Sequence, residues 1–322
     1  MSTRGIRFGV NFREADLDDW PRYCRDTERL GYDTLLAPDH LGHPAPFGML
    51  AAAAAATDHI RLGTMVLNNE FWNPALLARE AATVDRISRG RLELGLGLGH
   101  MKSEFETAGI PWRGHADRLA ALERTLGELD RFLVDGGPGH GPAQRPRPPL
   151  LIGGHGEATL RLAARRADII GFGGLVQRRG APMGVFHVEG PDDVLRRVDF
   201  VREQAGGRLA GLEFNVLVQN VTVTDDAERA AAGLAAEYGA ESGLGTAADV
   251  LASPFVLVGT AGEIAAEITA NRDRYGFDYV CTHGEHRDAL ARVIPEVRRL
   301  EEAAGRSDPP DDRDAAAPVR AL

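Results

Sequence analysis

Short apolar runs alternate with amphipathic segments along almost the whole chain. The clearest case is residues 60–104, where two apolar runs flank one segment of helical periodicity. That segment begins at Asn73 and Pro74 and ends near Ser88. Two apolar strands around an amphipathic helix are typical of a βαβ unit with parallel strands. The first run ends in asparagines and the second in alternating glycines, so both strands bring unusual residues to their carboxyl ends.

The same alternation predicts eight strand–helix repeats. The predicted strands cover residues 7–12, 32–37, 60–69, 92–98, 150–152, 168–172, 213–224 and 278–281. The predicted helices cover residues 16–30, 47–56, 74–88, 117–134, 156–164, 192–204, 225–238, 260–275 and 286–304. Eight repeats with parallel crossovers predict a (β/α)8 TIM barrel, whose active site lies at the carboxyl ends of its strands. Residues 1–304 would form this single domain, and the polar residues 305–322 a disordered tail.

The competing fold is an open, doubly wound sheet. The glycines of Gly95-Leu96-Gly97-Leu98-Gly99 superficially suggest a dinucleotide-binding fingerprint. In that fingerprint the third glycine comes one residue later, and an acidic residue follows about twenty residues on, where none is evident here. The barrel is therefore favoured.

Two long segments follow the sixth and seventh predicted strands. They are residues 175–191 and 239–254, and neither has a regular pattern. A loop of this length is more often functional than idle. We expect both segments, with residues 41–47, to form the walls of a substrate pocket.

Composition narrows the class of protein. The chain has 322 residues, 43% of them hydrophobic, and its net charge of −10 argues against a broad nucleic-acid surface. No apolar run reaches membrane-spanning length and the amino terminus lacks an apolar signal core, so we expect a cytoplasmic protein. Cys24 and Cys281 lack metal-site spacing and are expected to be reduced thiols near the core.

Ionisable residues follow the second and fourth predicted strands. Asp39 and His40 end the second strand, and a carboxylate beside an imidazole can orient it and raise its pKa, as suits a proton donor near neutral pH. The alternative is that Asp39 caps the next helix and His40 fills the loop. His100 and Glu104 follow the fourth strand, where Glu104 either takes part in catalysis or holds Arg113.

Glycine-rich ends of two strands suggest a bound ligand. Gly95, Gly97 and Gly99 either let a flat ligand approach the backbone or serve close packing between strands. Residues 153–159 join the fifth strand to a helix, and exposed amides in such a turn bind anions, with phosphate as the natural ligand. The alternative for this turn is that its glycines only satisfy backbone dihedral angles.

Two other groups are open to two interpretations each. His283 and His286 have a spacing that suggests metal, but no third ligand is near in sequence, so a helix cap is favoured and no metal is predicted. Arg178 and Arg179, after the sixth strand, either reach negative charge on a ligand or are solvated surface. No Gly-x-Ser-x-Gly elbow, Walker loop or zinc-protease helix is present, which favours a flat, phosphate-bearing cofactor over hydrolysis at such sites.

Five segments give the chain a resemblance to the bacterial luciferase-like family. They are residues 38–41, 61–67, 73–80, 90–97 and 149–154, and together they are specific. The resemblance extends over nearly the whole chain and is closest to the branch that uses coenzyme F420, a deazaflavin, instead of FMN. It implies a luciferase-like barrel with the cofactor across the carboxyl ends of the strands.

The resemblance also implies roles for individual residues. Asp39 and His40 match an aspartate and a histidine that contact the cofactor and act in catalysis in F420-dependent sugar-phosphate dehydrogenases. A non-prolyl cis peptide bond is implied between Met65 and Val66. The positions implied to bind the cofactor are Asp39, Met65, Val66, Asn68, Leu98, Gly99, Ser103, Gly154, His155, Gly156, Ala158 and Thr159.

Two departures from those dehydrogenases bear on the substrate. They carry a glutamate at the position of His100, and their substrate-phosphate lysines have no counterpart in this chain. Both departures argue against glucose 6-phosphate as the substrate. The acid–base role is therefore open between His40 and His100.

The leading hypothesis is an F420-dependent oxidoreductase. A hydride would pass between C5 of the deazaflavin and a small organic substrate, in reduction of an activated C=C or C=N bond or in oxidation of an alcohol. One alternative is an FMN-dependent monooxygenase supplied by a separate reductase, and another is a non-catalytic barrel that binds a cofactor or a partner protein. A homodimer is expected from the resemblance alone, with no nucleic-acid or membrane partner.

Overall fold

Most of the predicted strands and helices are present. A computed structural model describes residues 5–12, 14–135, 141–178, 180–181 and 184–306. The strands are β1 (Arg7–Asn11), β2 (Thr34–Ala37), β3 (Arg61–Thr64), β4 (Leu67–Asn68), β5 (Leu92–Gly97), β6 (Leu150–Gly153), β7 (Ile169–Phe172), β8 (Leu175–Gln177), β9 (Phe186–Val188), β10 (Glu213–Val218), β11 (Asn220–Val223), β12 (Val256–Gly259) and β13 (Phe277–His283). The helices are α1 (Trp20–Arg29), α2 (Pro46–Ala56), α3 (Pro74–Ile87), α4 (Lys102–Thr107), α5 (His115–Leu133), α6 (Glu157–Arg166), α7 (Pro191–Ala205), α8 (Ala227–Tyr238), α9 (Ala247–Ala252), α10 (Ala261–Tyr275), α11 (Arg287–Ala291) and α12 (Ile294–Ala303). Short 3-10 turns cover Glu14–Asp19, Asn69–Phe71, Gly206–Gly211, Ala240–Ser242 and Gly284–His286.

One sheet of parallel strands organises the chain. Nine strands follow the order β3-β2-β1-β13-β10-β7-β6-β5-β4, and β3 also pairs with β5. Because β3 and β4 both lie against β5, they share one position in the ring, which closes as an eight-position parallel barrel with surrounding helices. The predicted (β/α)8 barrel is confirmed.

The chain divides into two compact units. As far as residues are described, the first unit contains Asn11–Gly153 and Arg166–Ile169, and the second contains residues up to Val10, Gly154–Arg165 and the chain from Ile170 onward. The expectation of one domain over residues 1–304 stays a prediction, and the expected tail lies, from residue 307, outside the described residues. Within those residues, no helix combines the length and the apolar character needed to cross a bilayer.

Apolar strands and a well-capped helix build the first unit. Leu62 of β3 and Leu94 of β5 are completely buried, as is Leu77 on the inner face of α3. The side chain of Asn73 caps α3 by accepting hydrogen bonds from two backbone N–H groups of its first turn, at 3.0 and 3.3 Å. Pro74 follows at the first helical position, where its missing N–H costs nothing. The helix start predicted at these two residues is confirmed.

Buried charges hold the amino ends of strands together in the second unit. Arg7 of β1 pairs with Glu213 of β10 at 2.6 Å, and Arg272 of α10 pairs with Glu301 of α12 at 2.7 Å. Asp278 of β13 accepts a hydrogen bond from the backbone of β10 at 3.1 Å. Burial, and after it the charge of Glu213, raises the pKa of Asp278 to about 6. Removing one partner of such a pair leaves an uncompensated buried charge, so the first pair fixes β1 to β10 and the second fixes α10 to α12.

The third predicted strand is divided into β3 and β4, and four other regions also differ from the predicted pattern. The seventh predicted strand is split into β10 and β11, and β11 pairs in parallel with β12, which the pattern did not indicate. The segment after β7 contains the antiparallel pair β8 and β9, and the second long segment contains α9. The closing helix is divided into α11 and α12. Elements such as β8, with three residues, and α9, with six, are too short to show a period in the sequence.

The close approach of β3 and β5 depends on a missing side chain. Thr64 Oγ1 donates to the carbonyl oxygen of Gly95 at 2.8 Å and accepts from its N–H at 2.8 Å. A Cβ at residue 95 would overlap the carbonyl oxygen of Thr64. Of the two explanations that the sequence leaves for Gly95, close strand packing is therefore the correct one.

The substitution Gly95→Ala is expected to lower the free energy of unfolding by about 3 kcal/mol, at the upper end for overpacking. The clash is with backbone, which cannot move aside without breaking both hydrogen bonds of Thr64. Urea denaturation followed by circular dichroism measures the change. Gly127→Ala is the control, since Gly127 is an exposed residue of α5 with nothing within 4 Å of the added Cβ. That control should gain stability by about 0.5–1 kcal/mol, and equal stabilities of the two variants would contradict the packing argument.

Candidate active site

The carboxyl ends of β2, β4 and β5 lie together in the first unit and carry the predicted ionisable residues. Asp39 and His40 follow β2, Asn68 ends β4, and His100 follows β5. Helix α4 comes shortly after β5 and adds Glu104. These five residues are referred to below as the strand-end cluster.

Asp39 fastens β2 to β4. Its Oδ2 accepts hydrogen bonds from the backbone N–H of Asn68 at 3.0 Å and from Nε1 of Trp72 at 2.9 Å. Burial raises the pKa of Asp39, while the two donors and the nearby His40 lower it. The prediction that Asp39 orients His40 is wrong, because the hydrogen bonds of Asp39 go to Asn68 and Trp72. Within the cluster, Asp39 is therefore the side chain that sets the spacing of the ends of β2 and β4.

His40 is oriented by Glu104 instead. Nδ1 of His40 lies 3.0 and 3.1 Å from the two carboxylate oxygens of Glu104. The backbone N–H of Leu41 donates to the same carboxylate at 3.1 Å, which fixes Glu104 against the loop after β2. Only 13% of the Glu104 side chain is exposed, against 30% of the His40 side chain, so the imidazole is the member of the pair that faces solvent.

The alternative role for Glu104, as a partner of Arg113, is contradicted. Arg113 donates instead to Glu70, with Nε 3.0 Å from Oε2. The side chain of Glu70 is almost fully buried, at 1% exposure, whereas that of Arg113 is nearly half exposed. The pair fixes the loop after α4 to the turn after β4 and leaves Glu104 to the histidine.

His100 stands next to His40 as a second imidazole. The two ring centroids are 5.4 Å apart and the rings are nearly perpendicular. Loss of surrounding water lowers the pKa of His100, and the charges of His40 and Arg118 lower it further against the opposing effect of Glu104. The pKa of His100 therefore lies below the ordinary value for a histidine. A third imidazole, His43, has its centroid 5.9 Å from that of His40.

Arg118 of α5 holds the loop that carries His100. Its Nη1 donates to the carbonyl oxygens of Leu98, at 3.0 Å, and of Gly99. The guanidinium also lies over the ring of Trp112, 3.9 Å from its centroid. No pattern in the sequence indicates this role, because an arginine on an amphipathic helix is usually solvated. A clue exists in its place on the face of α5 that also carries buried Leu122 and Leu126.

The first unit contains five more of the residues predicted to bind a cofactor. The peptide bond between Met65 and Val66 is cis, as predicted, and both side chains are half-buried. Leu98 is also half-buried, while Ser103 is exposed on α4. Gly99 has a φ of +72°, and a Cβ there would come within 2.5 Å of Asn68 Oδ1. The space beside Gly99 is therefore filled by Asn68, a member of the cluster.

The predicted anion-binding turn lies in the second unit. Gly154 and Gly156 are half-buried, His155 and Ala158 are exposed, and Thr159 is buried in the first turn of α6. A Cβ at Gly154 would come within 2.6 Å of Thr159 Cγ2, so this glycine makes room for the threonine methyl.

Arg197 of α7 adds a positive charge that the sequence did not single out. Its guanidinium donates to the carbonyl oxygen of His155 and to the carboxylate of Glu189. Burial raises the pKa of Glu189, and Arg197 opposes that rise. A groove beside the turn is lined by Glu157, Leu160, Asp193, Arg196, Arg197 and Phe200.

The arginines and histidines that the sequence leaves open to two interpretations differ in their contacts. Arg178 pairs with Glu241, and Arg179 lies outside the described residues. His283 is at the cap position of a 3-10 turn but makes no side-chain cap, so the helix-cap interpretation is wrong for its side chain. Its Nε2 lies 3.2 Å from Oε1 of Gln219. In the described ranges, no group of three or more His, Cys, Asp or Glu side chains is arranged to hold a metal ion.

Comparison with known proteins gives a family match. The family of luciferase-like monooxygenases matches residues 6–250. A curated relative, the F420-dependent glucose-6-phosphate dehydrogenase of Nakamurella multipartita, is 29% identical over 257 residues, or 71% of each chain. The protein of the same name from Intrasporangium calvum is 35% identical over 120 residues. That match covers 34% of this chain and only 36% of the relative's length.

Solved structures agree on the fold. The crystal structure of a monooxygenase from Streptomyces bottropensis superposes with a TM-score of 0.67 and 22% sequence identity. The superposition covers 92% of this chain and 98% of the other. Identity at this level shows a shared fold alone.

The substitution Arg118→Leu is expected to loosen the loop after β5. Two carbonyl oxygens would lose their donor, which should lower the free energy of unfolding by about 1–3 kcal/mol. Hydrogen exchange followed by mass spectrometry should show faster exchange in residues 98–101. Arg124→Leu, on the exposed face of the same helix, is the control and should leave that exchange unchanged. Identical exchange in both variants would remove Arg118 from this role.

Proposed function

Since this chain belongs to the luciferase-like monooxygenase family, we propose that it is an oxidoreductase dependent on coenzyme F420. It transfers a hydride to or from a small organic substrate, by reduction of an activated C=C or C=N bond or by oxidation of an alcohol. The curated relatives named as F420-dependent dehydrogenases support the cofactor. The observation that carries the proposal is the His40–Glu104 pair at the ends of β2 and β5, which is a proton-handling device at the place where barrels bind ligands.

Buried acceptors in the first unit suit a flat heterocycle with N–H groups. Asn11 Oδ1 and Asn69 Oδ1 are buried and have no hydrogen-bond partner among the described residues. A buried acceptor without a donor costs about 1–3 kcal/mol, so a ligand that supplies ring N–H groups would be favoured there. When bound, F420 supplies a carbon atom that accepts or releases a hydride. The turn before α6, in the second unit, stays a predicted phosphate-binding turn, and Arg197 beside it donates to His155 and Glu189.

The proton step falls to His40. Because Glu104 accepts the hydrogen bond from Nδ1, the neutral imidazole carries its proton on Nδ1 and presents a lone pair on Nε2. No described residue forms a hydrogen bond with Nε2, so this atom is available to a substrate. A proton taken up at Nε2 produces an imidazolium that the carboxylate of Glu104 stabilises. Glu104 is therefore a positioning residue, and His40 is the acid or base.

His100 has a different part in this proposal. Its pKa is lowered, chiefly by burial, so the protonated form of this ring is disfavoured. With its ring perpendicular to that of His40, it forms one wall beside the reactive imidazole. Of the two candidates left open by the sequence, His40 is the better proton carrier. The expected homodimer and the nature of the substrate stay predictions.

An FMN-dependent monooxygenase is the second candidate function, because a monooxygenase shares the barrel. Titration of the purified protein with F420 and with FMN separates the two by fluorescence. We expect F420 to bind at least about tenfold more tightly, the effect of roughly one well-formed hydrogen bond. Tight FMN binding without measurable F420 affinity would sink the leading proposal and favour the monooxygenase.

Substitution of His40 tests the proton step. His40→Ala is expected to lower kcat/KM by about 10²–10⁴-fold, the usual contribution of one acid–base group, with F420 affinity preserved. His43→Ala is the matched control and should retain turnover, since His43 lies beside His40 on the same loop and no carboxylate of the described residues pairs with it. Steady-state kinetics with F420 and a panel of alcohols, imines and activated alkenes provide the measurement.

The positioning role of Glu104 predicts a different kinetic signature. Glu104→Gln should lower kcat by about tenfold with little change in KM or in F420 affinity, since one charge-assisted hydrogen bond is lost. Glu104→Asp should recover part of that loss. If His40→Ala turned over as fast as the unsubstituted protein, both residues would be excluded from the mechanism.

A further inference from the structure

One glutamine ties together three strand ends in the second unit. Gln219 follows β10, and its Nε2 donates to the carbonyl oxygen of Gly173 after β7 at 2.9 Å. The same nitrogen lies 3.2 Å from the carbonyl oxygen of Leu217. Its Oε1 is 3.2 Å from Nε2 of His283, the last residue of β13. The arrangement therefore holds an imidazole at the end of the last strand of the sheet.

These contacts determine which nitrogen of His283 carries a proton. Two carbonyl oxygens can accept only from an N–H, so the amide nitrogen of Gln219 must face Gly173 and Leu217. Its oxygen then faces the imidazole, and an oxygen acceptor requires a proton on Nε2 of His283. Because a neutral imidazole has one N–H, Nδ1 is left with a lone pair.

The surroundings keep this imidazole neutral. Burial lowers the pKa of His283, and His286 lowers it further against the opposing charge of Glu285. The group that faces its ring edge, the amide of Gln219, carries no charge. His283 is therefore a fixed, neutral hydrogen-bond acceptor near pH 7.

The alternation of β13 shows which face of the strand His283 occupies. Tyr279 lies under the guanidinium of Arg7, 4.1 Å from ring centroid to Cζ, and Cys281 Sγ lies 2.9 Å from Nδ2 of Asn215. His283 follows in the same period of two. Val280, on the opposite face, lines a small cavity with Ile268 of α10. His283 is thus on the face turned away from α10, at the carboxyl end where parallel barrels bind ligands.

We propose that His283, oriented by Gln219, determines substrate specificity by accepting through Nδ1 a hydrogen bond from a hydroxyl or amide N–H group of the substrate. The inference rests on the proposed oxidoreductase function and names a feature of its substrate. The substrate then carries a donor group in addition to the carbon that exchanges the hydride. Neither a metal site nor a helix cap accounts for this histidine, given its amide partner and the absence of a side-chain cap.

Kinetics with paired substrates test the specificity. Each pair contains an alcohol, imine or activated alkene with a free hydroxyl or amide N–H and its O-methyl or N-methyl counterpart. The unsubstituted protein is expected to prefer the donor member by about tenfold in kcat/KM, the effect of one neutral hydrogen bond. His283→Phe should abolish the preference, and His283→Asn, whose Oδ1 can replace Nδ1, should restore part of it. His286→Phe, a half-buried histidine three residues on, is the matched control and should keep the preference.

A spectroscopic measurement separates this inference from the proposed function. In protein labelled with nitrogen-15 histidine, His283, assigned from its loss in His283→Phe, should show a protonated Nε2 and an unprotonated Nδ1 at pH 7.5. Cyclohexanol should shift the Nδ1 resonance, and cyclohexyl methyl ether should not. The opposite tautomer, a doubly protonated ring or equal responses to both probes would overturn the inference. Failure of F420 to bind would overturn the proposed function alone, because the resonance is observed without cofactor.

Discussion

The reciprocal pair of hydrogen bonds between Thr64 and Gly95 is the constraint on which the first unit depends. It seats the end of β3 on β5 so closely that a Cβ at residue 95 would overlap backbone. From that point the chain resumes as β4, again against β5, and brings the N–H of Asn68 to Asp39. Gly99 then passes beside the Asn68 side chain, and the chain continues into His100 and α4. Asn68 and His100 are thus positioned by strands whose spacing is set at Thr64.

The two carboxylates of the cluster, Asp39 and Glu104, have different hydrogen-bond partners and therefore different structural roles. Asp39 accepts from a backbone amide and an indole, both neutral donors that cannot move far, and so acts on the spacing of β2 and β4. Glu104 accepts from an imidazole and from one backbone amide, and so acts on an ionisable group. Both hydrogen bonds reach the same oxygen of Asp39, Oδ2, and neither donor is His40. For this reason Asp39, although adjacent to His40 in sequence, leaves the histidine to a residue from another strand end.

The sequence predicts which residues come together in the site better than it predicts which of them form hydrogen bonds with one another. Period and strand-end composition were enough to predict the barrel and to bring Asp39, His40, Asn68 and His100 to the same end of the sheet. The partner of His40 depends instead on how the short helix α4 is rotated. Phe105 is fully buried beside Phe71 and Trp112, and this anchor turns its neighbour Glu104 toward His40. A helix of six residues has no period from which such a rotation can be predicted, and the pair is 64 positions apart in sequence.

Arg118, Arg197 and Gln219 were not predicted for the same reason, since each has a partner distant in sequence. The structure also distinguishes two histidines whose ring nitrogens are held by neighbouring side chains. His40 donates from Nδ1 to a carboxylate, and His283 donates from Nε2 to an amide. A carboxylate stabilises the imidazolium that forms when a proton arrives, whereas an amide offers no charge to stabilise it. One partner therefore suits an imidazole that exchanges protons, and the other suits an imidazole that stays neutral and recognises a donor. Residue type alone cannot distinguish these two roles. They differ in which ring nitrogen forms the hydrogen bond and in whether its partner is a charged carboxylate or a neutral amide.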